Sequence, residues 1–135
     1  MPARTRAAYL GDLSPFSGET KVDKQRGGRE GLAIYDATGT TFIDLTLGNV
    51  QQITMTGNIQ VSLLGATAAT ACSASIYLVQ DSMGGRSVTW PASVRWPGGN
   101  LPAISSASNA RDLVILETLD GGTTWYGSLA GQDYR

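Results

Sequence analysis

Three carboxylates in the C-terminal part of the chain have the chemistry of a glycosidase acid and base pair, which works without histidine. They are Asp112, Glu117 and Asp120. Asp112 and Glu117 stand an odd number of positions apart in one segment that predicts a strand, so their side chains project from opposite faces of a sheet. They cannot flank one glycosidic bond in that arrangement, and we predict that the protein is not an enzyme.

The amino-acid composition removes the commonest catalytic and metal-binding groups. The 135 residues include no His and one Cys, which excludes an imidazole base, a Ser-His-Asp system and a zinc site of the usual ligands. Cys72 has no second cysteine for a disulfide within the chain. Asp120, Gly121 and Gly122 predict a tight turn, because a calcium loop needs about six oxygen ligands from a series of carboxylates. We predict no cofactor and no metal ion.

Tryptophan and proline are concentrated in residues 90–102, which hold two of the three Trp and three of the five Pro. An exposed indole ring stacks on a sugar, and polar side chains beside it bind hydroxyl groups. A glycan-binding surface here would consist of Trp90, Arg95, Trp96 and Asn100. The alternative, which the sequence favours, is that the rings pack over the open end of a sheet.

Charge is low and unevenly distributed. Charged residues make up 16% of the chain and the net charge is −1, but residues 1–30 contain six basic and four acidic residues. The acidic residues interrupt the basic cluster and no aromatic residue alternates with it, so the sequence predicts no nucleic-acid partner. No segment of about 20 apolar residues and no apolar signal region is present, so it predicts no membrane partner either.

Residues 1–30 show neither a helical nor a strand period, because glycine and proline interrupt every candidate element. We interpret this segment as an extended arm that attaches the protein to a larger assembly. Its predicted anchors are Tyr9, Leu10, Leu13, Phe16, Lys21, Arg26 and Arg29. A terminus that orders only on its own domain is the alternative.

From residue 31 onward apolar residues alternate with polar ones, which predicts about nine short strands. Hairpins are predicted at Gly57-Asn58, between residues 75–80 and 86–90, and at residues 120–122. Proline confines residues 90–102 to an edge strand and a wide loop. Residues 31–135 therefore predict an all-β domain, an antiparallel β-sandwich or jelly-roll-like fold.

Two segments of the C-terminal half resemble a known module. Residues 81–99 read Asp-Ser-Met-Gly-Gly-Arg-Ser-Val-Thr-Trp-Pro-Ala-Ser-Val-Arg-Trp-Pro-Gly-Gly, and residues 118–127 read Thr-Leu-Asp-Gly-Gly-Thr-Thr-Trp-Tyr-Gly. With Asn-Ala-Arg-Asp-Leu at 109–113, they are similar to the C-terminal β-modules of tail fibres and related surface proteins of tailed bacteriophages. The resemblance reaches weakly back to residue 50, and residues 1–49 lie outside it.

This resemblance implies a structural protein of the phage virion, made in the host cytoplasm, and typically a homotrimer. Two functions follow from it. A capsid decoration or cement subunit, which the short chain without a shaft favours, would bind the major capsid protein or a tail structural protein through the arm. A receptor-binding adhesin of a tail fibre or tail tip would present residues 90–100 to a bacterial surface glycan.

Overall fold

The computed structural model describes residues 30–135, so residues 1–29, which include all the predicted anchors of the arm, lie outside them. This part of the chain contains seven strands and two short 3₁₀ turns, Leu45–Leu47 and Pro97–Gly99. The strands are β1 (Leu32–Asp44), β2 (Val50–Leu64), β3 (Cys72–Gln80), β4 (Val88–Thr89), β5 (Val94–Arg95), β6 (Arg111–Thr118) and β7 (Trp125–Gly131). The predicted all-β class is confirmed.

The strands of residues 30–135 form one mixed sheet in the order β1-β2-β3-β6-β7-β5, with β4 paired to β2. The β1–β2, β2–β3, β2–β4 and β5–β7 pairs are parallel, whereas β3–β6 and β6–β7 are antiparallel. This pairing corrects the antiparallel sandwich or jelly-roll-like arrangement that we expected from the sequence. The sequence could not indicate the strand direction, because apolar residues alternate with polar ones at a period of two in both parallel and antiparallel sheets.

β1 and β2 are parallel, although only residues 45–49 connect them. Two parallel strands that lie flat side by side need a connection of about a dozen residues or more. The N–H of Val50 donates to the carbonyl of Gly31, just before β1 (3.0 Å). The side-chain amide of the next residue, Gln51, donates to the carbonyl of Asp44 at the end of β1 (2.9 Å). Two consecutive residues of β2 therefore contact both ends of β1, so β1 bends back on itself and the chain winds in coils.

The hairpin predicted at Gly57-Asn58 is wrong, because β2 continues through this pair. The register between β1 and β2 shifts between Ala37 and Gly39, which marks a bulge at this point. A Cβ on Gly57 would overlap the hydroxyl of Thr38. Glycine followed by asparagine is typical of a tight turn, but glycine within a strand is also typical of a bulge where two backbones approach closely. Gly57 has this second role.

The second predicted hairpin is wrong and the third is confirmed. β3 pairs with β2 and β6, and β4 pairs with the second half of β2 instead of with β3. β6 and β7 are antiparallel, and the hydroxyl of Thr118 accepts the N–H of Gly122 in the turn between them (2.9 Å). The edge position predicted for the proline-rich segment is also confirmed, because β5 is the last strand of the sheet order.

The core lies inside the coils, where the inward residues of neighbouring strands form rows. Ile53 of β2 lies opposite Leu78 of β3, and both side chains are buried. The other inward core residues include Ile43, Met55, Ile59, Ile76, Val114, Leu116 and Trp125. Residues at the alternate positions point away from the core and form the outer face of the sheet.

Candidate functional site at the proline-rich edge

The three carboxylates considered for hydrolysis do not form a pair. Asp112 is 2% exposed, and its two carboxylate oxygens accept the N–H groups of Ser105 (2.6 Å) and Asp133 (2.8 Å). Glu117 is exposed on the outer face of the same strand, as the odd spacing predicted. Asp112 therefore fastens a loop and the C-terminal residues to β6 and is not available to a substrate.

Asp120 belongs to the turn between β6 and β7. Its carboxylate accepts the N–H of Thr124 (2.9 Å) and the hydroxyl of Thr118 (3.0 Å). These hydrogen bonds hold the pKa of Asp120 below its usual value, and the one from the Thr124 backbone contributes most. The turn interpretation of this acidic residue is confirmed. Among residues 30–135 no group of three or more His, Cys, Asp or Glu could hold a metal ion.

The three tryptophans contribute mainly to packing. Trp125 is 2% exposed and belongs to the core. Trp90 and Trp96 are half-buried against that core and meet edge to face, with ring centroids 5.4 Å apart and an interplanar angle of 64°. A Cβ on Gly127 would lie 2.7 Å from the Trp96 ring, so this glycine makes room for the indole.

The polar residues predicted near these rings are accessible. Arg95 is exposed on β5, and Asn100 is exposed directly after the Pro97–Gly99 turn. The parallel register of β5 and β7 places Arg95 opposite Tyr126, whose side chain is 52% exposed. The antiparallel register of β6 and β7 places Tyr126 opposite Glu117.

Trp96 packs against Gly127, whose position in β7 faces the core, so it does not share the outward face of Arg95 and Tyr126. Here we define the edge cluster as Arg95, Asn100 and Tyr126.

Sequence reasoning missed Tyr126 as a member of this cluster. Its neighbour Trp125 is buried, so strand alternation alone predicts that Tyr126 points outward. Its position beside Arg95 depends on the parallel pairing of β5 with β7, which no local pattern in the sequence indicates.

The edge cluster has the groups that bind a sugar on an open surface. An exposed phenol ring stacks on the apolar face of a pyranose and keeps a hydroxyl for hydrogen bonding. The guanidinium of Arg95 matches the planar carboxylate or phosphate of an acidic saccharide, and the amide of Asn100 both donates and accepts. This arrangement can bind a ligand, and it contains no acid and base pair to cleave one.

A cavity of about 650 Å³ lies elsewhere, at the corner where the coils turn. It is lined by Gly31, Leu45, Thr46, Leu47, Gly48, Asn49, Gly65, Thr67, Thr70, Ala71, Cys72 and Ser73. These residues include no charged side chain and no aromatic ring. The corner therefore offers less to a saccharide than the edge cluster does. In residues 30–135 no helix has the length and apolar character to cross a membrane.

A family model described as "Putative phage tail fibre C-terminal domain" matches residues 35–123. The match covers about two thirds of the chain and runs from β1 into the turn before β7. Searches of curated proteins and of solved structures gave no match.

Proposed function

The chain belongs to the family of phage tail fibre C-terminal domains, and on that basis we propose that it is the receptor-binding end of a tail fibre. The protein is a structural protein of a phage virion. In this proposal the β1 end of the sheet joins the rest of the fibre, and the β5 end faces the bacterial surface. The edge cluster then binds a surface glycan without hydrolysing it.

The observation that carries this proposal is the difference between the two ends of the sheet. β1 is 13 residues long, and within residues 30–135 it pairs on one side only, with β2. A long unpaired edge offers backbone N–H and C=O groups to a further strand. Such an edge is suited to continue into another part of a fibre.

The opposite end of the sheet offers little backbone for further pairing. β5 has two residues and lies between Pro91 and Pro97. Proline has no N–H to donate and therefore limits a strand to the edge of a sheet. An end with so little backbone for pairing is suited to face outward, and the edge cluster lies there.

The core is also less covered at the β1 end, along the first half of that strand. In the first half of β1 the inward residues Ala33, Tyr35 and Ala37 are half-buried, whereas Ile53 and Met55 on β2 are almost fully buried. End repeats of a coiled β-structure need a cover over their core. The proposal assigns that cover to the adjoining part of the fibre.

Adsorption of the purified protein to host cells tests the receptor function. Tyr126→Ala and Arg95→Ala should each reduce cell binding at least 10-fold, because each removes one of the exposed groups of the edge cluster. Tyr134→Ala is the matched control, since Tyr134 is 51% exposed but lies outside the cluster. Unchanged adsorption of both folded edge variants would contradict the proposal.

Other expectations from the sequence stay predictions. The capsid decoration function is the alternative to the tail fibre, and the family match supports the tail. The homotrimer, the attachment arm and its virion partner are still to be tested. The earlier glycan set changes, because the exposure of Tyr126 favours this ring over the half-buried Trp90 and Trp96 as a stacking platform.

A further inference from the structure

The outer face of the sheet carries a row of residues in which a positive and a negative charge flank an aromatic ring. The register of β5 and β7 places Arg95 opposite Tyr126, and the register of β6 and β7 places Tyr126 opposite Glu117. Residues that lie opposite each other project from the same face of a sheet, and all three side chains are exposed. Here we define Arg95, Tyr126 and Glu117 as the charged row.

The two charges of this row have no partner within the part of the chain that the structure describes. The charged side chains of residues 30–135 that make neither an ion pair nor a hydrogen bond there are Asp36, Arg95, Arg111 and Glu117. Others are used within the fold, such as Asp81 in its ion pair with Arg86 and Asp112 in its hydrogen bonds to two backbone N–H groups. Arg95 and Glu117 therefore keep their bonding groups for a ligand.

The geometry of the sheet keeps Arg95 and Glu117 apart. They belong to β5 and β6, which lie on either side of β7. Neighbouring strands are about 4.8 Å apart, so the backbones of these two residues are about 10 Å apart, with Tyr126 between them. A ligand on the Tyr126 ring can therefore contact both charges at once, the guanidinium on one side and the carboxylate on the other.

The surface beside the charged row preserves the difference between its two sides. The next row of the outer face consists of uncharged residues, Ser75, Ile115 and Ser128. Arg111 is at the opposite end of β6, about 20 Å along the strand from Glu117. Asp120, in the turn that follows β6, has the same sign as Glu117. The β6 side of Tyr126 is therefore negative and the β5 side is positive.

We propose that the charged row selects a saccharide that carries both an anionic group and an ammonium group, as the phosphate of an amino sugar does. The guanidinium of Arg95 forms paired hydrogen bonds with a phosphate or a carboxylate. The carboxylate of Glu117 only accepts hydrogen bonds, so it favours the three donors of an ammonium group. The ring of Tyr126 stacks on the sugar between them. This inference rests on the proposed receptor function and names the class of glycan that the receptor site recognises.

The two charges also discriminate against other saccharides. A sugar with anionic groups alone pairs with Arg95 but brings negative charge towards Glu117. A sugar with an ammonium group alone pairs with Glu117 but brings positive charge towards Arg95. Because like charges repel, each wrong ligand loses affinity at one end of the row, and specificity comes from repulsion as well as from attraction.

Titration of the isotope-labelled full chain with three monosaccharides, followed by NMR chemical shifts, tests the proposal. Glucosamine 6-phosphate carries both charges, glucose 6-phosphate carries the phosphate alone, and glucosamine carries the ammonium group alone. Glucosamine 6-phosphate should bind about 10-fold more tightly than either of the others, which is the effect of one additional hydrogen bond to a charged group. The backbone N–H signals of Arg95, Tyr126 and Glu117 should shift during the titration.

Substitutions that remove one charge at a time assign the two ends of the ligand. Glu117→Gln should weaken the binding of glucosamine 6-phosphate about 10-fold without weakening that of glucose 6-phosphate. Arg95→Gln should weaken the binding of both phosphates without weakening that of glucosamine. Asp36→Asn and Arg111→Gln are the matched controls, because each removes an exposed and unpaired charge of the outer face outside the row and should change no affinity.

Equal affinity for the three sugars would overturn the proposal, and so would a chain that binds none of them at millimolar concentration. Adsorption to host cells distinguishes this failure from that of the receptor function. If Tyr126→Ala and Arg95→Ala lose adsorption while the three sugars bind alike, the charge selectivity is wrong and the receptor function stands. If both variants adsorb normally, the receptor function is wrong.

Discussion

The side-chain amide of Gln51 donates a 2.9 Å hydrogen bond to the carbonyl oxygen of Asp44, which ties the beginning of β2 to the end of β1. The same nitrogen donates to the carbonyl of Gly48 (2.9 Å), and the amide oxygen accepts the hydroxyl of Tyr35 (2.5 Å). Gln51 is fully buried, so one side chain satisfies three groups at the corner of the first coil. This connection explains how a short loop joins two long parallel strands.

Gln51→Leu should destabilise the fold strongly. It leaves two backbone carbonyls and the Tyr35 hydroxyl without their partner in a buried place, and each such group costs about 1–3 kcal/mol. We expect a loss of about 3 kcal/mol in the free energy of unfolding, measured in urea. Gln60→Leu is the control, since Gln60 is exposed on the same strand and its replacement should change little. Equal stability of the two variants would contradict the proposed corner.

Gly127→Ala should displace the Trp96 indole. The new methyl group would lie 2.7 Å from the ring, and overpacking of this kind costs about 1–3 kcal/mol. Tryptophan fluorescence should shift to longer wavelength as the Trp90 and Trp96 rings become wetter. Ser128→Ala, at the next and exposed position of β7, should alter neither stability nor fluorescence.

Asp112→Asn should loosen the loop and the C-terminal residues that the carboxylate holds. The amide that replaces the carboxylate can accept at only one end, so one of the N–H groups of Ser105 and Asp133 loses its partner. The expected cost is about 1–3 kcal/mol. Hydrogen exchange should become faster at one of these two N–H groups. Glu117→Gln, on the exposed side of β6, should leave both exchange rates unchanged.

Stability should fall in acid and stay level near neutral pH. Hydrogen bonds lower the pKa of three aspartates in the folded state. The largest contribution comes from the Arg86 side chain for Asp81 and from the Thr46 side chain for Asp44. For Asp120 it comes from the backbone N–H of Thr124. Because each pKa is lower in the folded state, the stability that these groups contribute is present above the unfolded value of about 3.9 and is lost as the pH falls through the folded value.

The melting temperature should therefore be constant between about pH 5 and 8, where no histidine titrates, and should drop below about pH 4. Arg86→Gln removes the largest cause of the low Asp81 pKa, so its acid loss should be smaller than that of the wild type. A melting temperature that changes most between pH 6 and 7 would contradict this assignment.

The sequence predicted those parts of the fold that depend on local pattern. Alternation from Arg111 to Thr118 predicted β6, the turn at residues 120–122 predicted its pairing with β7, and the prolines predicted an edge. The odd spacing of Asp112 and Glu117 correctly separated a buried carboxylate from an exposed one.

The coiled path of β1 and β2 could not be predicted in the same way. It depends on contacts between residues distant in sequence, such as Gly57 against the Thr38 hydroxyl, and a glycine that permits a bulge looks the same as one that permits a turn. For the same reason the sequence did not predict Tyr126 as a residue of the candidate site. Its partner Arg95 is distant in sequence and becomes a neighbour only through a parallel pair.

The most direct test of the account is electron microscopy of intact phage particles labelled with gold-conjugated antibody against this protein. We predict gold at the far ends of the tail fibres, with the antibody blocking adsorption to host cells. Gold distributed over the head, on particles that still adsorb normally, would contradict a receptor-binding tail fibre module and favour a capsid decoration protein.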